Sequence, residues 1–369
     1  MKILFDYQVF YLQKYGGISN YFYHLSLGLR KNYDSVKIFS PVFKNNYGRQ
    51  LLEKKIIMGR YLKNYPKFTG KLINAINYKS TDYFLKIYNP DIFHMTYYNN
   101  NYKFSKKIIK FLTVYDLIHE KFENYYSKSF IELTLKKKKD AIDKADHIIC
   151  ISENTKQDLL NYYNINKNKV STVHLGVAQK KERPALVETE RKFILYVGDR
   201  NRYKNFKNLL KAYSNSKLLY ENFKLICFGG GPFNHNEKKE IKSLKLSDRN
   251  IFQISGNDEV LFSYYTSAEC LVIPSLYEGF GLPLIEAMSL NCPVLCSRTS
   301  SLVEIGADAA IFFDPYSVED LQYKIEKFML DGDKKKIIEK GKYNAGLYTW
   351  DNCVNKTLKL YKEKLNYND

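Results

Sequence analysis

The sequence predicts an α/β protein made of two doubly wound domains, each a parallel sheet with helices on both faces. Short apolar runs alternate with helix-length segments along most of the 369 residues. Runs such as LICF (225–228), CLVI (270–273) and PVLC (293–296) are apolar throughout, which is typical of strands buried on both sides. A chain of this length is also about the size of two domains.

Twelve segments are predicted as strands, and most are separated by a stretch long enough for a crossover helix. They are Lys2–Phe5, Val36–Phe39, Ile92–His94, Phe111–Tyr115, His147–Ile151, Lys169–Val173, Phe193–Val197, Lys224–Phe228, Ile251–Ile254, Cys270–Ile273, Pro293–Cys296 and Ala310–Phe313. The last apolar segment, Trp350–Leu365, is amphipathic and follows the second set of strands.

A polar segment without periodicity, Ala178–Lys192, divides the chain into halves of similar size, and we place the linker there. The predicted N-terminal domain is 1–180, and the predicted second domain is 190–347. A C-terminal helix in 348–369 is expected to pack back on the N-terminal domain. Because ligands of doubly wound sheets bind at the carboxyl ends of the strands, the two domains are expected to face a cleft.

The composition excludes several classes of protein. No apolar run approaches the roughly 20 residues of a membrane helix, and the N-terminal MKILFDYQVF carries Asp6 and lacks a small-residue cleavage site. A secreted or membrane-spanning protein is therefore not expected. The six cysteines lie mostly in apolar segments, and no second pair or nearby histidine completes a zinc set with Cys292 and Cys296. We interpret all six as reduced core residues of a cytosolic protein.

The formal charge of +19 comes from 49 Lys and only 9 Arg against 39 acidic residues. A surface that reads phosphates would favour arginine forks, and no nucleic-acid-binding signature is present, so specific nucleic-acid binding is not expected. Nine basic residues but only Glu53 lie between Lys44 and Lys79, with apolar residues interleaved. This stretch is either a solvated helical face or a surface that docks on anionic lipid.

The segment from Ser275 to Met288, SLYEGFGLPLIEAM, follows the buried strand CLVI and leads into a helix predicted to begin at Pro283. Two glycines, Gly279 and Gly281, allow the backbone to approach a ligand closely. N–H groups at the start of the helix can bind an anion or sugar oxygens. The carboxylates of Glu278 and Glu286 can both accept hydrogen bonds from ligand hydroxyls.

Two cations follow the first strand of the second half, in the run YVGDRNRYKNF (196–206). An arginine fork at Arg200 and a point charge at Lys204 can stabilise the negative charge of a leaving diphosphate without a metal. Arg202 is close enough in sequence to take the place of Arg200.

Two glycine-rich loops also follow predicted strands. Gly16 and Gly17 lie between the first strand and a helix, where backbone amides can reach a diphosphate. The loop Gly229–Pro232 follows the strand LICF and is either a tight turn or part of a nucleotide site.

The first half is expected to bind the acceptor. His94 ends one predicted strand, and Asp116 and His119 follow another, which is where catalytic groups gather in parallel sheets. A structural role is as compatible with the sequence as a functional one for each histidine, and His24 is predicted to pack against the core.

Asp331-Gly-Asp333 has the form of a metal-binding D-x-D, but no buried strand precedes it and three lysines follow. We interpret it as a loop in which Asp333 caps a helix, so no metal site is predicted.

The sequence resembles the family-4 retaining glycosyltransferases of the GT-B fold over nearly its whole length. The most specific mark is the E-x7-E arrangement of Glu278 and Glu286 around GFGLP. The segments YGGISNY (15–21), ADHIICISE (145–153) and YVGDRNRYKNF (196–206) are similar to further family motifs. The form YKNF (203–206) in the last of these, together with VYDLIHE (114–120), most resembles the mannosyltransferase-B-like subgroup of bacterial polysaccharide and O-antigen enzymes.

The resemblance implies a retaining, metal-independent hexosyltransferase without a cofactor, in which Glu278, Arg200 and Lys204 are catalytic. Glu278 would hold the hydroxyls of the donor sugar, and Glu286 would hold the nucleotide ribose. The rest of the donor site would be Gly16, Gly17, Gly279, Phe280, Gly281 and Leu282.

The resemblance further implies transfer of mannose from GDP-mannose to a glycan, expected to be lipid-linked, at the inner face of the cytoplasmic membrane. A UDP- or dTDP-sugar donor stays open, because no residue identifies the base. Two further alternatives are a nucleotide-sugar epimerase on the same fold and a non-catalytic binding subunit. The binding subunit is disfavoured because Glu278, Glu286, Arg200 and Lys204 are all present.

Overall fold

The computed structural model describes residues 1–98, 102–104, 108–178, 184–200, 202–247, 249–331 and 333–366. It divides into two compact units, Met1–Gly176 with Trp350–Asp369, and Val177–Thr349. The sequence predicts the boundary between the two domains at 180–190 and the start of the C-terminal segment at 347–348. Residues 179–183 of the predicted linker lie outside the described residues. The later part of that linker packs on the second unit, where the Val187 N–H donates to Ser267 Oγ at 2.7 Å.

The first unit contains a seven-stranded parallel sheet in the order β3-β2-β1-β4-β5-β6-β7. Its strands are β1 (Ile3–Phe5), β2 (Val36–Phe43), β3 (Ile57–Tyr61), β4 (Ile92–Met95), β5 (Ile109–Val114), β6 (His147–Cys150) and β7 (Val170–Thr172). Its helices are α1 (Gln8–Leu12), α2 (Gly17–Arg30), α3 (Asn46–Glu53), α4 (Gly70–Tyr88), α5 (Ile118–Lys121), α6 (Lys128–Lys144) and α7 (Glu153–Tyr162). Every residue of β1, β4 and β6 is buried, as expected for central strands of a sheet covered on both faces.

One strand of this sheet was not predicted. The strand β3 lies inside the basic stretch 44–79, which we had interpreted as a helical face or a lipid-docking surface. The stretch instead contains α3, the edge strand β3 and the first half of α4. Of the five residues of β3 only Ile57 is buried, so the strand lacks the continuous apolar signal of its neighbours.

The second unit contains a six-stranded parallel sheet in the order β10-β9-β8-β11-β12-β13. Its strands are β8 (Phe193–Val197), β9 (Lys224–Phe228), β10 (Ile251–Ile254), β11 (Cys270–Ile273), β12 (Val294–Ser297) and β13 (Ala310–Phe313). Its helices are α8 (Phe206–Asn215), α9 (Lys217–Asn222), α10 (His235–Ser243), α11 (Asp258–Ser267), α12 (Leu282–Ser289), α13 (Ser300–Gly306), α14 (Val318–Asp331) and α15 (Lys334–Leu347).

Both sheets reverse their strand order next to the first strand of the unit. In the first unit β1 lies between β2 and β4, and in the second unit β8 lies between β9 and β11. This is the doubly wound arrangement, in which the crevice at the point of reversal binds ligands. The loops after β1 and β4, and those after β8 and β11, are therefore the places to look for function.

The last helix, α16 (Trp350–Asn366), belongs to the first unit. Its Trp350 ring stacks on His24 of α2, with ring centroids 4.4 Å apart. Val354 packs so closely on Gly28 that a Cβ at that glycine would lie 2.5 Å from a Val354 methyl group. Tyr361 is fully buried against the sheet residues His94 and Phe111. All six cysteines are free and buried.

Candidate active site

The loop that carries Glu278 lies at the carboxyl end of β11 in the second unit. Strand β11 is completely buried, and the loop ends at Gly281, whose φ of +94° favours glycine. Helix α12 begins at Leu282, one residue before the predicted start, with Pro283 in its first turn. The sequence therefore folds here as strand, glycine-containing loop and helix N-terminus, the arrangement that exposes backbone N–H groups to a ligand.

The carboxylate of Glu278 is paired with the ammonium of Lys204. The two oxygens accept hydrogen bonds from Lys204 Nζ at 2.8 and 3.0 Å, and Oε1 also accepts one from Ser275 Oγ at 2.7 Å. Both charged side chains remain partly accessible, at 15% for Glu278 and 20% for Lys204. The loops after β8 and β11 thus bring a cation and a carboxylate to one point, where each can contact a bound molecule.

A run of three hydroxyl residues, Thr299, Ser300 and Ser301, holds the backbone of this loop. The Glu278 N–H donates to Ser300 Oγ at 2.9 Å, and Ser301 Oγ donates to the Glu278 carbonyl oxygen at 2.8 Å. Thr299 Oγ1 donates to the Leu276 carbonyl oxygen at 3.2 Å. Ser300 has a φ of +46°, an uncommon conformation for a residue with a Cβ.

Sequence reasoning did not identify these three hydroxyl residues. The available signal was their position after the buried strand β12, at the same edge of the sheet as Glu278.

Glu286 lies in α12 and accepts a hydrogen bond from the Tyr265 hydroxyl of α11 at 3.2 Å. Burial is the main cause that raises the pKa of Glu286 to about 7, and the Tyr265 hydrogen bond partly opposes it. Burial thus favours the neutral carboxyl group, and hydrogen-bond donors brought by a ligand would favour the ionised one.

The side chain of Arg200, which is predicted to contact the diphosphate, lies against the loop Gly229–Pro232. Its guanidinium is 3% exposed and forms an ion pair with Glu237, with Nε and Oε1 2.7 Å apart. It also donates to the carbonyl oxygens of Gly229 at 3.0 Å and Gly231 at 2.8 Å. All three glycines of Gly229–Pro232 have positive φ, and a Cβ at Gly230 would lie 2.6 Å from Arg200 Nη1. Arg200 is thus the centre around which this tight turn folds.

The neighbouring cation Arg202 begins the short 3₁₀ helix Arg202–Lys204 and is exposed. Asn201, between the two arginines, lies outside the described residues. The structure therefore leaves Lys204 and Arg202 as the more accessible cations of this motif.

In the first unit, Gly16 and Gly17 form the N-terminus of the 14-residue helix α2. First-turn N–H groups of a helix have no partner within the helix and favour an anion. The side chain of Gln13 covers Gly16 so closely that a Cβ there would lie 2.5 Å from Gln13 Oε1. That oxygen is buried and has no hydrogen-bond partner among the residues that the structure describes.

A cavity of about 540 Å³ opens at the reversal point of the first sheet, beside the loops that follow β1 and β4. Aromatic side chains dominate its lining, together with two lysines and a histidine. The residues that line it are Tyr7, Gln8, Val9, Tyr11, Leu12, Gln13, Lys71, Asn74, Tyr97, Tyr98, His119, Phe130, Thr134 and Lys137. None of these lining residues is acidic, so the described wall of the cavity favours neutral or anionic ligands.

Asp6, at the end of β1, holds Gln8, one of the residues that line this cavity. It is fully buried and accepts hydrogen bonds from the backbone N–H groups of Gln8 and Thr96 at 3.4 and 3.0 Å. The side chains of Gln8 and Thr96 also donate to its two oxygens. Burial raises the pKa of Asp6 to about 6. Asp6 therefore ties the end of β1 to the loop after β4, and sequence reasoning had used it only as evidence against a signal peptide.

The three residues predicted for the acceptor side differ in their placement. His94 is fully buried, with Nε2 2.8 Å from Thr113 Oγ1 and Nδ1 hydrogen-bonded to the Tyr361 hydroxyl. Burial lowers the pKa of His94 to about 3. Because a group enclosed by the core cannot contact a substrate, His94 is a structural residue, which corrects its prediction as an acceptor-side group.

His119 does line the cavity, and burial lowers its pKa. Asp116 is half-buried near it and accepts from the Ile118 N–H at 3.1 Å, while its own carbonyl accepts from Lys138 at 2.7 Å. Lys138 is itself fully buried and paired with Glu120 at 2.9 Å. This ion pair anchors the loop that carries Asp116 and His119.

The described residues contain no group of three or more histidine, cysteine or acidic side chains that could hold a metal ion. In the D-x-D sequence, Asp331 ends α14 and Asp333 is the N-cap of α15, accepting from the Lys336 N–H at 3.1 Å. Gly332 between them lies outside the described residues. Among the described helices, none combines the length and apolarity needed to cross a membrane.

Two family models match the chain. The model described as Glycosyltransferase Family 4 matches residues 15–181, and that of Glycosyl transferases group 1 matches residues 178–345. Together they span most of both units.

Two curated relatives match more than half of the chain. The O-antigen chain mannosyltransferase B of Escherichia coli is 27% identical over 254 residues, which is 64% of this chain and 66% of that protein. The O-antigen chain mannosyltransferase RfbU of Salmonella typhimurium is 28% identical over 219 residues, 57% of this chain and 59% of that protein. The matched region thus spans 66% of the first relative and 59% of the second.

Solved structures share the fold over the whole chain. Sucrose-phosphate synthase from Thermosynechococcus elongatus superimposes with a TM-score of 0.76 at 18% identity, covering 99% of both chains. WaaG, a glycosyltransferase involved in lipopolysaccharide biosynthesis, superimposes with a TM-score of 0.72 at 15% identity, covering 98% of this chain and 99% of that one. These similarities show that the chain has the GT-B fold, as predicted.

Proposed function

Because this chain belongs to glycosyltransferase family 4, we propose that it transfers a hexose from a nucleotide sugar to a hydroxyl of a glycan, with retention of configuration. The observation that carries the proposal is the contact between Lys204 and Glu278 at the carboxyl ends of β8 and β11. A nucleotide sugar offers a diphosphate that can pair with Lys204 and hydroxyl groups that can donate hydrogen bonds to Glu278. The two relatives named above supply the biological setting, the synthesis of a cell-surface polysaccharide.

On this proposal the second unit binds the donor. Glu278 accepts hydrogen bonds from sugar hydroxyls, and Glu286 accepts them from the ribose. Lys204 approaches the diphosphate, as do the backbone N–H groups of the segment Gly279–Leu282, which ends at the N-terminus of α12. In the first unit, Gly16 and Gly17 form a helix N-terminus of the kind that favours an anion.

The reaction breaks the bond between the anomeric carbon and the oxygen of the diphosphate, and that oxygen takes the bonding electrons. Lys204 stabilises the charge that develops there, a form of electrostatic catalysis. The acceptor hydroxyl attacks the anomeric carbon on the face the diphosphate leaves, and its proton passes to a phosphate oxygen of the leaving group. The cations are supplied by side chains, so we propose that the reaction needs no metal ion.

The first unit binds the acceptor in its aromatic cavity. Sugar rings pack their C–H faces on aromatic side chains, and Tyr11, Tyr97 and Phe130, which are partly or largely exposed, supply such faces here. Lys71 and Lys137 can pair with an anionic group on the acceptor, such as the phosphate of a lipid carrier. We therefore propose a lipid-linked glycan as acceptor, used at the inner face of the cytoplasmic membrane with peripheral contact to anionic lipid.

Mannose from GDP-mannose is the proposed donor, since two relatives are named mannosyltransferases. UDP- and dTDP-sugars remain the alternatives. A thermal-shift panel of GDP-, UDP- and dTDP-sugars tests the donor directly, because a ligand that binds only the folded protein raises its melting temperature. GDP-mannose is expected to give the largest shift.

Transfer itself is tested with labelled GDP-mannose and a lipid-linked oligosaccharide, and proton NMR of the product reports the anomeric configuration. An α-linked mannoside supports retention, and a β-linked product contradicts it. Incubation with donor alone separates a transferase from an epimerase, since only an epimerase converts the sugar without acceptor. A protein that binds donor but neither transfers nor epimerises the sugar would be a binding subunit.

A further inference from the structure

Helix α4 carries apolar side chains on its outward face as well as on its buried one. The buried face combines Ile73 and Leu85 with the polar residues Asn77 and Thr81. The Asn77 amide is satisfied by the backbone of β2, where it accepts from the Val42 N–H and donates to the Val42 carbonyl oxygen, both at 2.8 Å. A surface helix normally turns its apolar side chains toward the core and its polar ones to solvent.

The outward face of α4 also carries large apolar side chains. Leu72 is 62% exposed, Ile76 43%, Tyr83 66% and Ile87 64%. Spacings of 4, 7 and 4 residues keep these positions within about 60° around a helix of 3.6 residues per turn, so they form one stripe about 22 Å long. Phe68, four residues before Leu72 and fully exposed, precedes the stripe. An exposed apolar stripe of this length marks a surface that binds something apolar.

The same outward face is basic. Lys79 and Lys86 are exposed on α4, and Lys67 is exposed just before it. The one acid of the helix, Asp82, is mostly buried, pairs with Lys86 at 3.7 Å and accepts from the Lys103 N–H at 2.8 Å. Two copies of the chain joined through this face would bring like charges together, which is unfavourable. A bilayer with anionic headgroups is apolar and negatively charged, and it complements both properties.

The other side of α4 reaches the acceptor cavity. Lys71 and Asn74 line that cavity, and Asn74 Oδ1 accepts from the Tyr7 hydroxyl at 2.9 Å. At the start of the helix, the Tyr11 hydroxyl donates to the Gly70 carbonyl oxygen at 2.8 Å. An object that binds the outward face of α4 therefore lies directly beside the cavity wall.

We propose that α4 docks the protein on an anionic bilayer, with Leu72, Ile76, Tyr83 and Ile87 inserted among the headgroups and Lys79 and Lys86 paired with them. The inference deepens the proposed function and, for its biological meaning, rests on it. Docking by α4 brings the cavity to the lipid surface, where the sugar of a lipid-linked acceptor is presented. The proposed lipid-docking surface is thus one face of α4 and not the whole basic stretch 44–79.

The test is co-sedimentation of the full chain with vesicles, without donor or acceptor. One vesicle is pure phosphatidylcholine and the other contains equal parts of phosphatidylcholine and phosphatidylglycerol. We expect binding only to the anionic vesicles, reversed by high salt because screening shortens the reach of the lysines. The paired substitutions Leu72→Gln with Ile87→Gln, and Lys79→Gln with Lys86→Gln, should each weaken binding roughly tenfold or more.

Matched controls carry the same substitutions at exposed positions away from α4. Leu330→Gln with Leu347→Gln matches the apolar pair, and Lys238→Gln with Lys239→Gln matches the charged pair. Both controls should bind vesicles as the unchanged chain does. Equal loss in the controls, equal binding to both vesicle types, or no effect of the α4 variants would overturn the proposal. Absence of vesicle binding together with an α4-dependent oligomer would do so as well, since a second copy would then occupy the face.

The assay also separates this inference from the proposed reaction. Vesicle binding that depends on α4, in a protein that transfers no sugar, would leave docking intact and contradict the transferase. The α4 variants should keep full activity on a short water-soluble acceptor, while activity on acceptor embedded in anionic vesicles falls with binding. Unchanged activity of the variants on embedded acceptor would show that docking through α4 does not serve catalysis.

Discussion

Replacement of Glu278 by glutamine separates the chemistry of the candidate site from its stability. The substitution keeps the shape of the side chain and an oxygen that can still accept from Ser275 Oγ. It removes the ion pair with Lys204, whose partners are both partly exposed. Such pairs contribute about 0.2–1 kcal/mol to stability. In a unit of this size that corresponds to a fall of at most about 4 °C in melting temperature.

The effect on turnover should be far larger. Loss of a group that contacts the transition state typically costs about 10²–10³-fold in rate, so Glu278→Gln should be nearly inactive while remaining folded. Nucleoside diphosphate binding should persist and tighten by up to about fivefold. In this variant Lys204 can pair with a phosphate without first breaking its ion pair with a carboxylate. An ion pair of about 1 kcal/mol corresponds to about a fivefold change in affinity.

The assay combines labelled-sugar transfer, thermal unfolding and calorimetric titration with GDP. Glu240→Gln is the control, because Glu240 forms a more exposed ion pair with Lys207 at 3.2 Å in the same unit. It should lower stability no more than Glu278→Gln does and leave turnover unchanged. Full activity of Glu278→Gln would refute the site. A collapse of its melting temperature together with lost GDP binding would show that Glu278 is a structural residue.

Three further predictions concern pH, the arginines and metals. The pKa of Glu286 is raised to about 7 from a usual value near 4.5, so its protonation stabilises the fold fully below pH 4.5, and this contribution is lost as pH rises through about 7. On the proposed function, the ionised carboxylate of Glu286 accepts hydrogen bonds from the ribose hydroxyls. GDP should therefore bind more tightly as pH rises through 7, and its binding should release protons in calorimetric titration. Glu286→Gln should abolish this pH dependence. Arg200→Ala leaves Glu237 without its cation and should destabilise the second unit by about 3–5 kcal/mol, whereas Arg202→Ala should lower turnover with little change in melting temperature. Transfer should continue in EDTA, and strict dependence on Mn²⁺ would contradict the assignment of side-chain cations to the diphosphate.

The strands of both sheets were predictable because burial on both faces imposes continuous apolar runs. All twelve predicted strands are present, with ends that differ by a few residues. The loop around Glu278 was also predictable, since a buried strand, two glycines and a proline at a helix start constrain one another. Strand β3 was not, because an edge strand with only Ile57 buried has no such run.

Sequence position alone could not decide what a charged or titratable side chain faces. Arg200 and His94 both occupy strand ends, where functional groups gather, yet one organises a glycine turn and the other is enclosed by Thr113 and Tyr361. Their partners are distant in sequence, so the environment is fixed only by tertiary packing. The same limit applies to α4. Its buried Asn77 is explained by a hydrogen-bonding partner on β2, and the periodicity of the helix sequence does not reveal that partner.

The charges of the donor unit suggest how the proposed enzyme recognises a complete nucleotide sugar. Before a donor binds, Lys204 is neutralised by Glu278, so a diphosphate must displace a carboxylate that already has a good partner. A nucleoside diphosphate alone would leave that carboxylate with only Ser275 and its weak solvation in a partly buried site. The sugar of an intact donor supplies hydroxyl donors to Glu278 at the same moment as its diphosphate meets Lys204. Exchange of partners at this one ion pair thus couples recognition of the sugar to recognition of the leaving group.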